Sequence, residues 1–187
     1  MKLKIWQVGE PVLRVGARAL TREEVVDGNL PSLLEWMTTT LRDAPGVGLA
    51  APQIGLSLQL AIIEDRAEYV AKLSPEEAAA KERIPVPWHV IINPVLTLEP
   101  GDPAEFYEGC LSLPGFAAWV PRARKVHVRC WNERAEEIEI SAEGWYARIL
   151  QHEIDHLNGT MYIDRMQSRT FTTQDNLSRA MRGSLQS

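Results

Sequence analysis

The amino-acid sequence predicts an α+β domain in which a series of strands precedes one buried central helix. Three observations lead there. Lys125–Trp131 alternates, with Val126, Val128 and Cys130 on one face and Lys125, His127 and Arg129 on the other, as a half-buried strand does. Leu58–Ile63 and Val90–Ile92 are short apolar runs of strand length. Gly144–Leu157, by contrast, carries Trp145, Arg148, Ile149, His152 and His156 on one broad face at helical spacing.

In chain order, Pro31–Arg42 opens with a proline and bears Leu33, Leu34, Met37 and Leu41 at helical spacing, so a helix is expected there. Ser74-Pro75-Glu76-Glu77 reads as a cap followed by proline at the first helical position, starting a short surface helix through Arg83 whose charges form a solvated face. His89 begins the apolar run at Val90 and reads as a strand-end histidine. Glu108–Gly115 is bracketed by glycines and proline and reads as extended, irregular chain. Val126–Trp131 and Glu136–Ile140 resemble a hairpin pair. The long helix over Gly144–Leu157 closes near Gly159.

With 187 residues and 45% hydrophobic content, residues 1–187 are expected to form one domain with a substantial core. A net charge of −5 argues against general affinity for nucleic acid or anionic membranes. No apolar run reaches membrane-spanning length. No signal peptide is evident, and the first residues leave no room for a transit peptide, although a trimmed one is compatible with the sequence. The two cysteines are expected to be free thiols, since a chain of this size buries a core without covalent staples.

The chemistry concentrates in Gln151-His152-Glu153-Ile154-Asp155-His156. Histidines four residues apart on a helix can both reach one metal ion, and the glutamate flanks them, a pattern of metal-assisted hydrolysis. Such a site needs a third protein ligand and an open position. Downstream of His156 there is no Glu, His or Cys, only Asp164 and Asp175. Upstream stand His89, His127, Cys110 and Cys130. The alternation of Lys125–Trp131 makes Cys130 a core residue and His127 a solvent-face residue, which leaves Cys110 as the thiolate able to complete a Cys, His, His set. Glu153 and Asp155 each lie roughly 80° from the histidine stripe at ~100° per residue, so helix geometry does not choose between them. Gly46-Val47-Gly48-Leu49-Ala50-Ala51-Pro52-Gln53-Ile54-Gly55 allows close approach of backbone or ligand and offers a glutamine amide to a developing oxyanion. A tightly packed turn explains its glycines equally well.

Together these segments resemble the peptide deformylases. That family's G-x-G-x-A-A-P-Q-x-G, E-G-C-x-S and Q-H-E-x-D-H-L-x-G signatures all occur here, in order, and Gly9–Arg14 is similar to its amino-terminal element. The resemblance implies antiparallel β-sheets surrounding a central HExxH-bearing helix. It implies one divalent metal ion on Cys110, His152 and His156: Fe2+ in the cell, with Zn2+, Ni2+ or Co2+ able to occupy the site. It makes Glu153 the general acid/base and Gln53 and the Leu111 N–H the oxyanion donors. Gly46, Val47 and Gly48 become an edge to which a substrate peptide adds as a strand, beside Gly109. Trp145, Arg148 and Ile149 would wall a pocket for the methionine side chain, with the Trp145 indole stacked on Arg148. Asp155 and Glu108 become outer carboxylates pairing with arginines, Arg122 being one candidate.

The implied activity is removal of the formyl group from the formyl-methionine of nascent polypeptides, releasing formate near the ribosome. The alternative, a metallopeptidase cutting internal bonds, needs Asp164 or Asp175 as ligand. Tyr162–Met166, Gly144–Arg148 and the insertion over Leu73–Arg83 resemble organellar members, whereas Leu113-Pro114 resembles bacterial ones. A cytoplasmic location and a mature organellar form both fit, as do monomer and dimer.

Overall fold

The computed structural model describes residues 1–26 and 28–184. A short 3-10 turn over Pro11–Arg14 leads to α1 (Arg22–Val26), α2 (Leu30–Asp43), β1 (Gly48–Ala50), β2 (Leu60–Asp65), α3 (Ala67–Val70) and α4 (Pro75–Ala80). Then follow β3 (Val86–Leu98), β4 (Ala104–Cys110), β5 (Leu113–Arg122), β6 (Lys125–Trp131), β7 (Glu137–Glu143), α5 (Gly144–Leu157), β8 (Thr172–Thr173) and α6 (Gln174–Ser184). The fold is α+β. A five-stranded antiparallel sheet has the order β1-β2-β3-β6-β7, and a three-stranded one has the order β4-β5-β8.

The five-stranded sheet is covered on both faces where β2 and β3 cross it. Ala61, Ile63 and Ile91 face Ile149, Leu150, Ile154 and Leu157 of α5. Leu60, Ile62, Val90 and Ile92 face Leu34, Met37 and Leu41 of α2. A strand buried on both faces shows a continuous apolar run rather than alternation, which is why these two strands read as they do. β6 alternates because only Val126, Val128 and Cys130 are buried. Each fully buried Leu or Ile here contributes about 1.5–3 kcal/mol.

Several expectations needed adjustment. The α2 helix runs one residue further at each end than Pro31–Arg42. β2 starts two residues later than Leu58 and continues to Asp65, while β3 extends to thirteen residues around Val90–Ile92. His89 therefore lies inside β3 rather than at its end, hydrogen-bonded to Pro87 O at 2.8 Å and Tyr146 Oη at 2.9 Å. The Ser74 cap is present, its Oγ accepting from Glu77 N at 3.1 Å, but α4 stops at Ala80 because the chain turns through Glu82 at φ 47°. β7 spans Glu137–Glu143 instead of Glu136–Ile140 and pairs with β6 in the expected hairpin. Both cysteines are free. Gly159, at φ +73°, closes α5; a Cβ there would stand 2.8 Å from the Arg14 carbonyl carbon. No helix among the described residues is long and apolar enough to cross a membrane.

The segment around Cys110 differs in part from expectation. It is extended as expected, and irregular where the register shifts at Gly109, but it forms the end of β4, which turns directly into β5 and pairs Cys110 with Leu113. β4, β5, β8, α1, α3 and α6 were not among the elements expected from the sequence.

Candidate metal centre

On α5, His152 and His156 are one turn apart with ring centroids 5.0 Å from each other. β4 brings Cys110 against them from the other sheet. The ligand atoms of Cys110, His152 and His156 all lie within 4.8 Å of one another, and Cys110 Sγ is 3.2 Å from His156 Nε2. Ligand pairs around a tetrahedral metal with ~2.3 Å Zn–S and ~2.0 Å Zn–N bonds stand roughly 3.5 Å apart, so the triad fits a transition-metal ion. One thiolate and two imidazoles suit the borderline divalent metals. Asp164 and Asp175 are not in this cluster; Asp164 accepts from Met161 N at 2.8 Å.

The outer groups orient the ligands. Glu108 Oε2 accepts from His152 Nδ1 at 3.0 Å, which leaves Nε2 as the nitrogen available to a metal. Glu108 is itself gripped by Arg122 Nε and Nη2 at 2.9 and 3.0 Å and by Arg148 Nη1 at 2.6 Å. Arg122 also reaches Asp155 at 2.5 Å, and Arg165 holds Asp155 at 2.6 and 2.7 Å. Asp155 is thus a structural anchor with both oxygens engaged. Burial acts to raise the Glu108 carboxyl, yet His152 and Arg122 hold it well below the usual carboxylate range. Burial likewise opposes ionisation of Cys110, but His156 and His152 bring its thiol down to about 5.

Glu153 faces the same space from the flank of α5. It is 4% exposed, and its Oε2 has no hydrogen-bond partner among the described residues. Burial pushes its carboxyl above the ordinary range, against the pull of His152 and His156. Its place depends on Gly48, where an added Cβ would meet Glu153 Oε1 at 2.3 Å. Gln53 is 1% exposed; its Oε1 accepts from Ala50 N at 2.9 Å, and its Nε2 points to Ser112 Oγ at 3.2 Å and Cys110 Sγ at 3.6 Å. Leu111 follows Cys110 at the β4–β5 turn.

A cleft of about 360 Å³ contains the site. Gly46, Val47, Gly48, Gln53, Gly109, Cys110, Leu111, Trp145, Arg148, Ile149, His152 and Glu153 all line it, while His156 sits behind. A larger hollow of about 740 Å³ against α2 shares no residue with the triad and holds no Cys or His. Two of the expected roles change in detail. Strand β1 begins only at Gly48, with Gly46 and Val47 leading into it, although Val47 O already accepts from Glu64 N at 3.0 Å. Arg148 lines the cleft, but it is 3% exposed and its guanidinium is committed to Glu108, Val120 O and Ala104 O, because a buried charge must find its partners within the protein. Trp145 has Arg148, Lys81 and Arg83 within 5.6 Å of its ring. Arg83, Arg165 and Gln174 escaped the sequence reading, because nothing local marks a side chain whose partner lies on a distant element.

The sequence model of the family described as polypeptide deformylase matches residues 2–172. The chain is 44% identical to peptide deformylase 1A, chloroplastic, of Solanum lycopersicum over 92% of its length, and 42% identical to peptide deformylase 3 of Streptomyces avermitilis, also over 92%. It spans 62% of the first relative's length and 75% of the second's. It is also similar to the Met-Ala-Ser-bound class I type b peptide deformylase of Acinetobacter baumannii, with a TM-score of 0.78 and 30% identity, covering 89% of this chain and 99% of that one. Similar proteins thus include both chloroplastic and bacterial forms.

Proposed function

The chain belongs to the polypeptide deformylase family, and from that premise we propose that it hydrolyses the formyl group from the N-terminal formyl-methionine of new polypeptides, releasing formate. The observation that carries this reading is the convergence of Cys110, His152 and His156 beside a buried carboxylate with one unpartnered oxygen. Cys110, His152 and His156 would hold one divalent metal, ferrous iron in the cell and also zinc, nickel or cobalt in a purified sample. When bound, the metal supplies a Lewis acid that acidifies water and polarises a carbonyl.

The chain's own residues then have distinct tasks. Gln53, held by Ala50, and the Leu111 N–H donate to the oxygen that gains charge as the formyl carbon becomes tetrahedral. Glu153, made more basic by burial, takes a proton and passes it to the leaving amine. β1 is an edge strand, so the main chain of Gly46–Gly48 can pair with an extended peptide irrespective of its sequence. Gly109 borders that path. Trp145, Ile149 and Arg148 wall the pocket for the methionine side chain.

Residues 1–187 serve as one catalytic domain, residue 27 and the last three lying outside the described residues. A nascent-chain substrate places the enzyme near ribosomes, in whichever compartment uses formyl-methionine, the bacterial cytoplasm foremost. The net charge of −5 gives it no general affinity for RNA. The test is formate release from a formyl-Met peptide by protein loaded anaerobically with iron or nickel. Release with internal bonds uncut is expected; internal cleavage without formate would overturn the reading.

A further inference from the structure

Side-chain amides of glutamine are usually committed in this protein. Gln7, Gln53, Gln59, Gln151 and Gln167 each donate through their side chains to protein groups. Gln174 is different: among the described residues its amide has no hydrogen-bond partner. It is exposed at the start of α6, and it lines the metal cleft. Its Nε2 lies 3.2 Å from the point that a Cβ on Gly109 would occupy, directly beside the residue preceding Cys110.

The arm that carries Gln174 is clamped. Thr172 and Thr173 pair with Ala117 and Phe116 of β5. Phe171 stacks on Phe116 with centroids 5.1 Å apart and planes 6° from parallel. Thr173 Oγ1 caps α6 by accepting from Asn176 N at 3.2 Å. Gly109 itself sits where the β4–β5 register shifts, between Glu108 and Cys110, and has no Cα partner of its own in that ladder. An arm pinned to β5 therefore holds an uncommitted carboxamide beside Gly109 at the rim of the cleft. The family match covers Gly109 and ends at Thr172, two residues before Gln174.

A carboxamide offers one donor group and one acceptor, the complement of a peptide unit. We propose that Gln174 is a substrate-positioning residue that hydrogen-bonds the main chain of the substrate beyond its first residue, whatever the side chains there. This inference rests on the deformylase reading above. With the formyl-methionyl group at Cys110, His152 and His156, the next peptide units leave toward the rim that Gly109 and Gln174 form.

The test compares metal-loaded full-length wild type with Gln174→Ala on formyl-Met-Ala-Ser and on formyl-methionine amide. One neutral hydrogen bond corresponds to a KM increase of about three- to tenfold for the tripeptide. Formyl-methionine amide should show an unchanged KM, and kcat should not move on either substrate. Calorimetric Kd for the product Met-Ala-Ser should rise by the same factor, while Asp175→Ala leaves both values unaltered. An equal KM rise for both substrates, or none for the tripeptide, overturns the proposal. Absence of formate release by the wild type would instead overturn the deformylase reading, and the calorimetric comparison would still decide the role of Gln174.

Discussion

Gly48→Ala gives the sharpest test of where Glu153 must stand. Gly48 lies in strand β1 with no positive φ, so alanine costs nothing in backbone conformation. Its Cβ, however, would fall 2.3 Å from Glu153 Oε1, 2.5 Å from Cδ and 2.7 Å from Cγ, against the 3.4 Å of ordinary contact. Glu153 must therefore move by about 1 Å, and it has no ready path into solvent because it is 4% exposed. A displacement of that size in a proton-transferring group costs about 10²-fold in turnover. Overpacking of the site should also cost about 1–3 kcal/mol of stability. Cys110, His152 and His156 are untouched, so metal content should match the wild type. Formate release, metal analysis and thermal unfolding on one preparation measure all three. Gly46→Ala is the contrast, since the atoms nearest its Cβ are side-chain carbons of Leu111 and Leu41, at 2.8 and 3.2 Å, and none belongs to Glu153. Full turnover in Gly48→Ala, with Glu153 unmoved in a structure of the variant, would refute the reasoning.

Glu153→Gln should keep the metal and lose about 10²-fold or more in kcat, because an amide cannot shuttle a proton; full formate release would end the acid/base assignment. After chelation of the metal, iodoacetamide at pH 7 should alkylate Cys110, whose thiol near 5 is then ionised, and spare Cys130, which burial pushes up to about 11. Metal should protect Cys110, and mass spectrometry that finds the label on Cys130 would reverse the ligand assignment. Glu108→Gln should weaken metal binding about 10–100-fold by loosening His152, as measured by competition with a chromophoric chelator. Finally, a hydroxamate with a methionine-length apolar side chain should bind about 1.5–3 kcal/mol tighter than its methyl analogue. Equal inhibition constants would remove Trp145 and Ile149 from the pocket.

What the sequence by itself determined rests on short-range geometry. The i, i+4 histidines of α5, the Ser74-Pro75 cap and the alternation of β6 need only neighbouring residues to be read, and that same alternation separated Cys130 from Cys110 as the thiol facing the site. Three ordered motifs also made the family resemblance visible. The β4–β5 hairpin was not legible, because one strand ends in a register shift at Gly109 and the pair lacks a clean period of two. Only the tertiary structure decided that Arg148, expected to face the substrate, turns its guanidinium into Glu108, a residue 40 positions away. The sequence offered Arg122 as a candidate partner for the outer carboxylates, but only the tertiary structure added the exposed Arg165 to Asp155 and brought Gln174 beside Gly109. Such contacts depend on which sheets and arms pack together, and a buried charge takes whichever partner that packing supplies.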